Sequence, residues 1–326
     1  MNSKNVLFII GNGFDIDLGL PTSYRDFVKS EYWPCHSPIP EMVDHLVYDT
    51  KCLHNYLNEQ TTINSWYDLE NILGKYACCP PGYHNGSFGQ RTIQQAQADK
   101  LLYDNLVHSL TMYLKSTMLN KPNNDSVAAR VLRQLLSQDF NLKIFSFNYT
   151  DLNILASELG IADKFKTIHV HGDLNNGIIL GIERKLEFCP AYRYMCKEYN
   201  HNYTSTTLIH HLDTFNYIII FGHSLSSIDY HYFQTFFHNQ SRDILDMAKR
   251  KSITIFTYNE ESAWDIRDQL SCMNNNRLDR LYANNDFRII RTDGTDVVKV
   301  QKFLEDLSRF SSSNYWIDSA FADTIF

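Results

Sequence analysis

The sequence predicts an α/β protein built on a doubly wound parallel sheet, and two observations carry that prediction. Six short apolar, β-rich runs recur along the chain: Val6–Ile10, Lys143–Phe147, Thr167–Val170, Tyr217–Phe221, Ser252–Thr257 and Phe287–Ile290. Most are continuously apolar rather than alternating, as strands covered on both faces are, and such strands belong to parallel sheets. Helical patterns lie between several of these runs, which is the alternation expected of this class. The clearest follows the last run, where Val300, Phe303, Leu304 and Leu307 form one apolar helical stripe.

The first two runs are far apart. Between Arg25 and Gln138 no convincing strand is visible. Leu101–Leu119 and Val127–Leu136 read as helices, and Pro80–Gln90 reads as a loop. The expected organisation is a discontinuous sheet domain (1–30 and 141–310) with a large, mostly helical insertion (31–140) after the first strand. Residues 311–326 form a tail holding Tyr315, Trp316, Phe321 and Phe326, expected to fold back on its own domain.

Bulk properties narrow the function. The chain has 326 residues, 44% hydrophobic, and a formal net charge of -7. That charge gives no case for broad binding to duplex nucleic acid, which needs a basic face. The apolar runs are too short to cross a bilayer. Val6–Ile10 is no signal-peptide core either, because Gly-Asn-Gly-Phe-Asp follows at once. Seven cysteines, never spaced Cys-x-x-Cys, make neither a disulfide framework nor a zinc ribbon. A cytoplasmic location is the expectation.

The first run leads into Gly11-Asn12-Gly13-Phe14-Asp15, then Gly19-Leu20-Pro21-Thr22-Ser23. Glycines directly after a strand permit a tight turn and bring backbone N–H groups close to a phosphate. Pro21 to Ser23 read as the start of the next helix. There is no Gly-Lys-Ser/Thr, so this is no P-loop. Ile16 stands where the dinucleotide fingerprint needs its third glycine, and no acidic residue closes a second strand about twenty residues on.

Four later runs also end in polar residues: Phe147-Asn148-Tyr149-Thr150-Asp151, His169-Val170-His171-Gly172-Asp173, Gly222-His223-Ser224-Leu225-Ser226-Ser227, and Tyr258-Asn259. Open α/β sheets bind ligands beyond the carboxyl ends of their strands. Each loop also has a plainer explanation. Asn148 could form a turn, Asp151 and Asn259 could be helix N-caps, Ser224 to Ser227 could cap a helix, and His171 could be a core histidine.

Taken in order, these segments, with Trp66-Tyr67-Asp68-Leu69-Glu70, resemble the AbiH family of phage abortive-infection proteins, which is similar to the wider sirtuin-like group. The resemblance implies a Rossmann-like, sirtuin-like fold. It implies that Gly11 and Gly13 hold the NAD pyrophosphate, that Asn148 and Asp151 surround the nicotinamide ribose, and that His171 acts on that ribose. Gly222, Ser224 and Asn259 would hold the adenosine. The neighbouring motif positions Asn12, Phe14, Asp15, Pro21, Thr22, Ser23, Phe147 and His223 are counted with the ligand-binding loops. The four-cysteine zinc module of sirtuin deacylases is missing from the sequence, so the expected activity is NAD hydrolysis, with NAD as substrate and no true cofactor. His171 would be the general base, Asn148 would fix ribose and water, and Asp151 would orient the sugar. The expected partners are NAD, a second copy of the chain, or a partner defence protein such as an ATPase.

Three rivals remain. Gly222-His223-Ser224-Leu225-Ser226 looks like a nucleophile elbow, but its last glycine is Ser226 and no histidine follows His238. His169, His171 and Asp173 read as His-x-His-x-Asp, a metal-hydrolase pattern whose other ligands are not obvious. The third rival is a nucleotide-sensing module that binds NAD without cleaving it and switches a partner.

Overall fold

A computed structural model describes residues 4–36, 52–60, 66–80, 83–84, 87–88, 90–161, 165–182, 188–203, 207–243 and 249–310. The expected tail, 311–326, lies outside them. The chain divides into two compact units: Met1–Leu20 with Lys121–Val170 and Ser205–Phe326, and Pro21–Asn120 with His171–Thr204.

The first unit is the sheet unit. Its strands are β1 (Asn5–Ile10), β2 (Asn141–Ser146), β3 (Thr167–His169), β4 (Tyr217–Phe221), β5 (Ser252–Thr257) and β6 (Asp286–Arg291). All neighbours pair in parallel, in the order β6-β5-β4-β1-β2-β3. All six apolar runs therefore became strands of one α/β sheet. The order is that of a Rossmann fold, with its reversal between β1 and β4.

Both faces are covered, which explains the continuous apolar runs. Alternate strand residues point to opposite faces. Leu7, Ile9, Phe145, Ile218, Ile220, Ile253 and Ile255 share one core with the helices Leu208–Thr214, Tyr230–Gln240 and Glu260–Met273. On the other face a row of rings crosses the sheet. Phe8 meets Phe14 edge-on at 5.9 Å, Phe14 meets Phe221 at 5.3 Å, Phe221 stacks on Phe256 at 4.9 Å, and Phe256 meets Phe303 at 5.0 Å. Phe303 comes from the helix Val297–Phe310, whose Val300 and Leu307 are also buried, as the stripe required.

The second unit is mostly helical: Tyr24–Lys29, Leu53–Glu59, Trp66–Cys78 and the long helix Gln90–Thr117. The expected loop at Pro80–Gln90 contains a two-residue antiparallel pairing, Tyr83–His84 with Ser87–Phe88. A second short pairing joins Gly172–Asp173 to Gly177–Ile178. Tyr24, Phe27, Trp33 and Tyr113 form one ring cluster. Asp99, fully buried, accepts from Leu53 N–H, the Tyr76 and Tyr192 hydroxyls and Gln95 Nε2, tying four segments together.

Candidate functional site

In the sheet unit the carboxyl ends of β4, β1 and β2 lie side by side, at the position where open α/β sheets bind ligands. β1 ends at Ile10, and past Gly11 the helix Asn12–Asp17 starts immediately. The segment is thus a helix start rather than an open loop. Gly11 N–H donates to the Phe221 carbonyl and Gly13 N–H to the Gly222 carbonyl, each at 2.9 Å. These two amides lock the β1 and β4 ends together.

The close approach explains why glycine is needed. Gly222 has φ of +64°, and a Cβ there would sit 2.3 Å from Phe14 N. A Cβ on Gly13 would sit 2.7 Å from Gly222 Cα. Phe14, counted from its motif among ligand-binding positions, is fully buried and belongs to the ring row.

Asn148, just past β2, reaches back to this junction. Its Nδ2 donates to the Gly11 carbonyl at 3.0 Å and to Asp15 Oδ1 at 2.9 Å. Thr150 Oγ1 donates to Asp15 Oδ2 at 2.8 Å. Both Nδ2 protons are committed inward, which leaves Oδ1 as the atom that can accept from a water or a ligand hydroxyl. Asp15 is 1% exposed. Burial pushes its carboxyl up to about 7, against the pull of the hydrogen bonds from Thr150 and Asn148. His169 donates from Nδ1 to the Asn148 carbonyl at 2.9 Å, fixing the same loop from β3.

The other sheet-unit residues divide by role. Asp151 N-caps the helix Leu152–Glu158, accepting from the Asn153 and Ile154 amides. Asn259 caps Glu260–Met273 through Ser262 N–H at 2.9 Å. His223 is buried, accepts from Leu225 N–H at Nδ1, and lies 3.4 Å from Asp229 at Nε2. Its ring meets Phe147 at 4.2 Å. Leu225 has φ of 52°, a left-handed conformation unusual for its type, and Ser224 beside it is exposed. The loop after β4 is thus held rigidly, with its serine outward.

Pro21, Thr22, Ser23 and His171 belong to the second unit. Ser23 caps Tyr24–Lys29, Thr22 is buried and Pro21 is exposed. His171 is buried, and its Nε2 lies 3.2 Å from Lys197 Nζ. Lys197 in turn pairs with Glu70 at 3.0 Å, and both are buried. Asp173 forms a turn, accepting from the Asn175 and Asn176 amides. Among the described residues no group of three His, Cys, Asp or Glu side chains is placed to hold a metal ion.

Thr150 and Lys197 did not stand out in the sequence as site residues. Thr150 had a usable signal, since it lies two residues after Asn148 in one motif. Lys197, inside Met-Cys-Lys-Glu, had none.

Fold and site together define a Rossmann-type α/β protein with a cluster of polar loops at the reversal of its strand order. Residues 7–247 match the family model described as bacteriophage abortive infection AbiH, and the chain belongs to that family. Membership points to a role in phage abortive infection. No curated protein and no solved structure matches the chain. Among the described residues no helix is long and apolar enough to cross a membrane.

Proposed function

We propose that this chain is a cytoplasmic abortive-infection effector of sirtuin-like type that hydrolyses NAD to nicotinamide and ADP-ribose. The observation that supports this most is Asn148. It is buried at the carboxyl edge of a Rossmann-ordered sheet, fixed through both Nδ2 protons, with an oxygen left to accept. Nicotinamide leaves NAD as a neutral molecule, so its departure needs no proton. What the reaction needs is a stabilised oxocarbenium-like ribose and a directed water. Asn148 positions the ribose and the water, and His171 takes the proton from water or a ribose hydroxyl. Asp151 orients the sugar.

The test is nicotinamide release by the purified protein, beside Asn148→Ala and His171→Ala. Each variant should lose about 100-fold or more in turnover. Turnover surviving in both overturns the residue assignment. NAD bound but intact favours the alternative, a nucleotide-sensing module that switches a partner. An enzyme that destroys NAD must also be restrained in its host. A second copy or a partner defence protein, engaging the helical insertion, supplies that restraint in this proposal. Full activity of the isolated monomer would overturn that part.

A further inference from the structure

An imidazole bound to the loop after β2 has no part in the mechanism proposed above. His169 is the last residue of β3 and pairs in register with Ser146 of β2, so the two side chains share one face of the sheet. Ser146 is fully buried. Its Oγ accepts from Asn148 N–H and donates to the Asn148 carbonyl, both at 3.1 Å. The same carbonyl accepts from His169 Nδ1 at 2.9 Å. A carbonyl can only accept, so Nδ1 carries the proton of this bond. A neutral imidazole protonated at Nδ1 has its lone pair on Nε2, across the ring and directed away from that carbonyl. Among the described residues no group bonds to His169 Nε2, and the side chain is only partly buried.

We propose that His169 is a further catalytic residue, the general base that takes the proton of the attacking water at Nε2. This rests on the NAD-cleaving reading, in which the proton lost comes from water or from a ribose hydroxyl. It assigns the water's proton to His169 and confines His171 to the hydroxyl. A general base needs an open lone pair in a fixed place. Left to itself an imidazole turns about its side-chain bonds and exchanges tautomers. The bond to the Asn148 carbonyl removes both freedoms, and Ser146 holds that carbonyl in turn. Asn148 then serves the water twice, accepting from it at Oδ1 and orienting its base through the main chain. The step balances. The bond between C1′ and the pyridinium nitrogen breaks, and its electron pair leaves on neutral nicotinamide. The water oxygen bonds to C1′, and its proton passes to Nε2 and then to solvent.

The test follows two products of the full chain, in wild type, His169→Asn and His169→Gln: ADP-ribose from hydrolysis, and NAD that has taken up label from added nicotinamide. Label enters when nicotinamide recaptures the ribosyl cation, a step that needs no base. An asparagine side chain keeps an N–H where Nδ1 stood, so the bond to the Asn148 carbonyl survives while the base is lost. His169→Asn should lower hydrolysis about 100-fold or more, with exchange kept within about threefold of wild type. His169→Gln is the variant to read where His169→Asn loses its cooperative thermal melt. Histidine 15N NMR at neutral pH, with the His169 resonances identified by their loss in His169→Gln, should show Nδ1 protonated and Nε2 bare. Hydrolysis and exchange falling together, or a wild-type Nε2 that carries a proton, overturns the proposal. Wild-type turnover that survives both substitutions overturns it alone. Wild-type protein that leaves NAD intact overturns the NAD reading, and this proposal with it.

Discussion

Asp15 in the sheet unit and Asp99 in the helical unit are both fully buried, and the two are handled differently. Asp99 receives four donors from four separate segments, so its carboxylate is fully engaged. Asp15 receives two side-chain donors, Asn148 and Thr150, two residues apart on one loop. The four-donor carboxylate ties a helical unit together. The two-donor carboxylate holds a single side chain in place at the edge of a sheet. The number and spread of donors, more than burial itself, separate these two carboxylates.

The sharpest way to break this contrast is Asp99→Ala. It strands two tyrosine hydroxyls, a glutamine amide and a backbone N–H, and should cost about 3–5 kcal/mol in denaturant unfolding. A loss under about 1 kcal/mol would show that Asp99 is no clamp. Next in size, Gly222→Ala puts a methyl group against Phe14 N at a left-handed φ. It should cost about 2–3 kcal/mol in denaturant unfolding. Asp15→Asn should change stability least but alter its pH dependence.

The sign follows from linkage. Burial raises the Asp15 carboxyl from its ordinary value to about 7, so between about 4 and 7 the folded protein binds a proton that the unfolded chain has released. The contribution of Asp15 is then most favourable below about 4 and is lost as pH rises toward 7. Wild-type protein should lose stability over that window, relative to Asp15→Asn, in thermal melts at pH 5 and pH 7.5. Parallel wild-type and variant curves would overturn the assignment of Asp15 as the poorly solvated carboxylate.

Much of the sheet was legible because its strands are apolar on both faces and turn-forming residues bound them. Each strand began or ended within two residues of its apolar run. The strand order was not legible. It depends on which crossover passes which neighbour, and periodicity carries no such information. The second unit was harder to read, since Asp99 unites partners at positions 53, 76 and 192 that share no local pattern. Residues 171–204, read from sequence with the sheet domain, cluster with the helices 21–120 for the same reason. At the site, motif position misled in one way. Phe14 sits among ligand-type residues yet fills the core, because a helix start needs a buried anchor as well as an exposed turn. Asp151 and Asn259 serve as caps, the plainer role that residue type alone allowed.

The two bonds between the ends of β1 and β4 have a consequence for how this protein can be altered. Gly11 to Gly13 and Phe221 to Gly222 come from distant parts of the chain, yet each fixes the backbone of the other. Neither can be exchanged alone. A chimera that imports the first motif from a relative must import the second with it, and laboratory evolution of one should select paired changes in the other. For recombination, the indivisible module at this edge is a pair of loops more than two hundred residues apart.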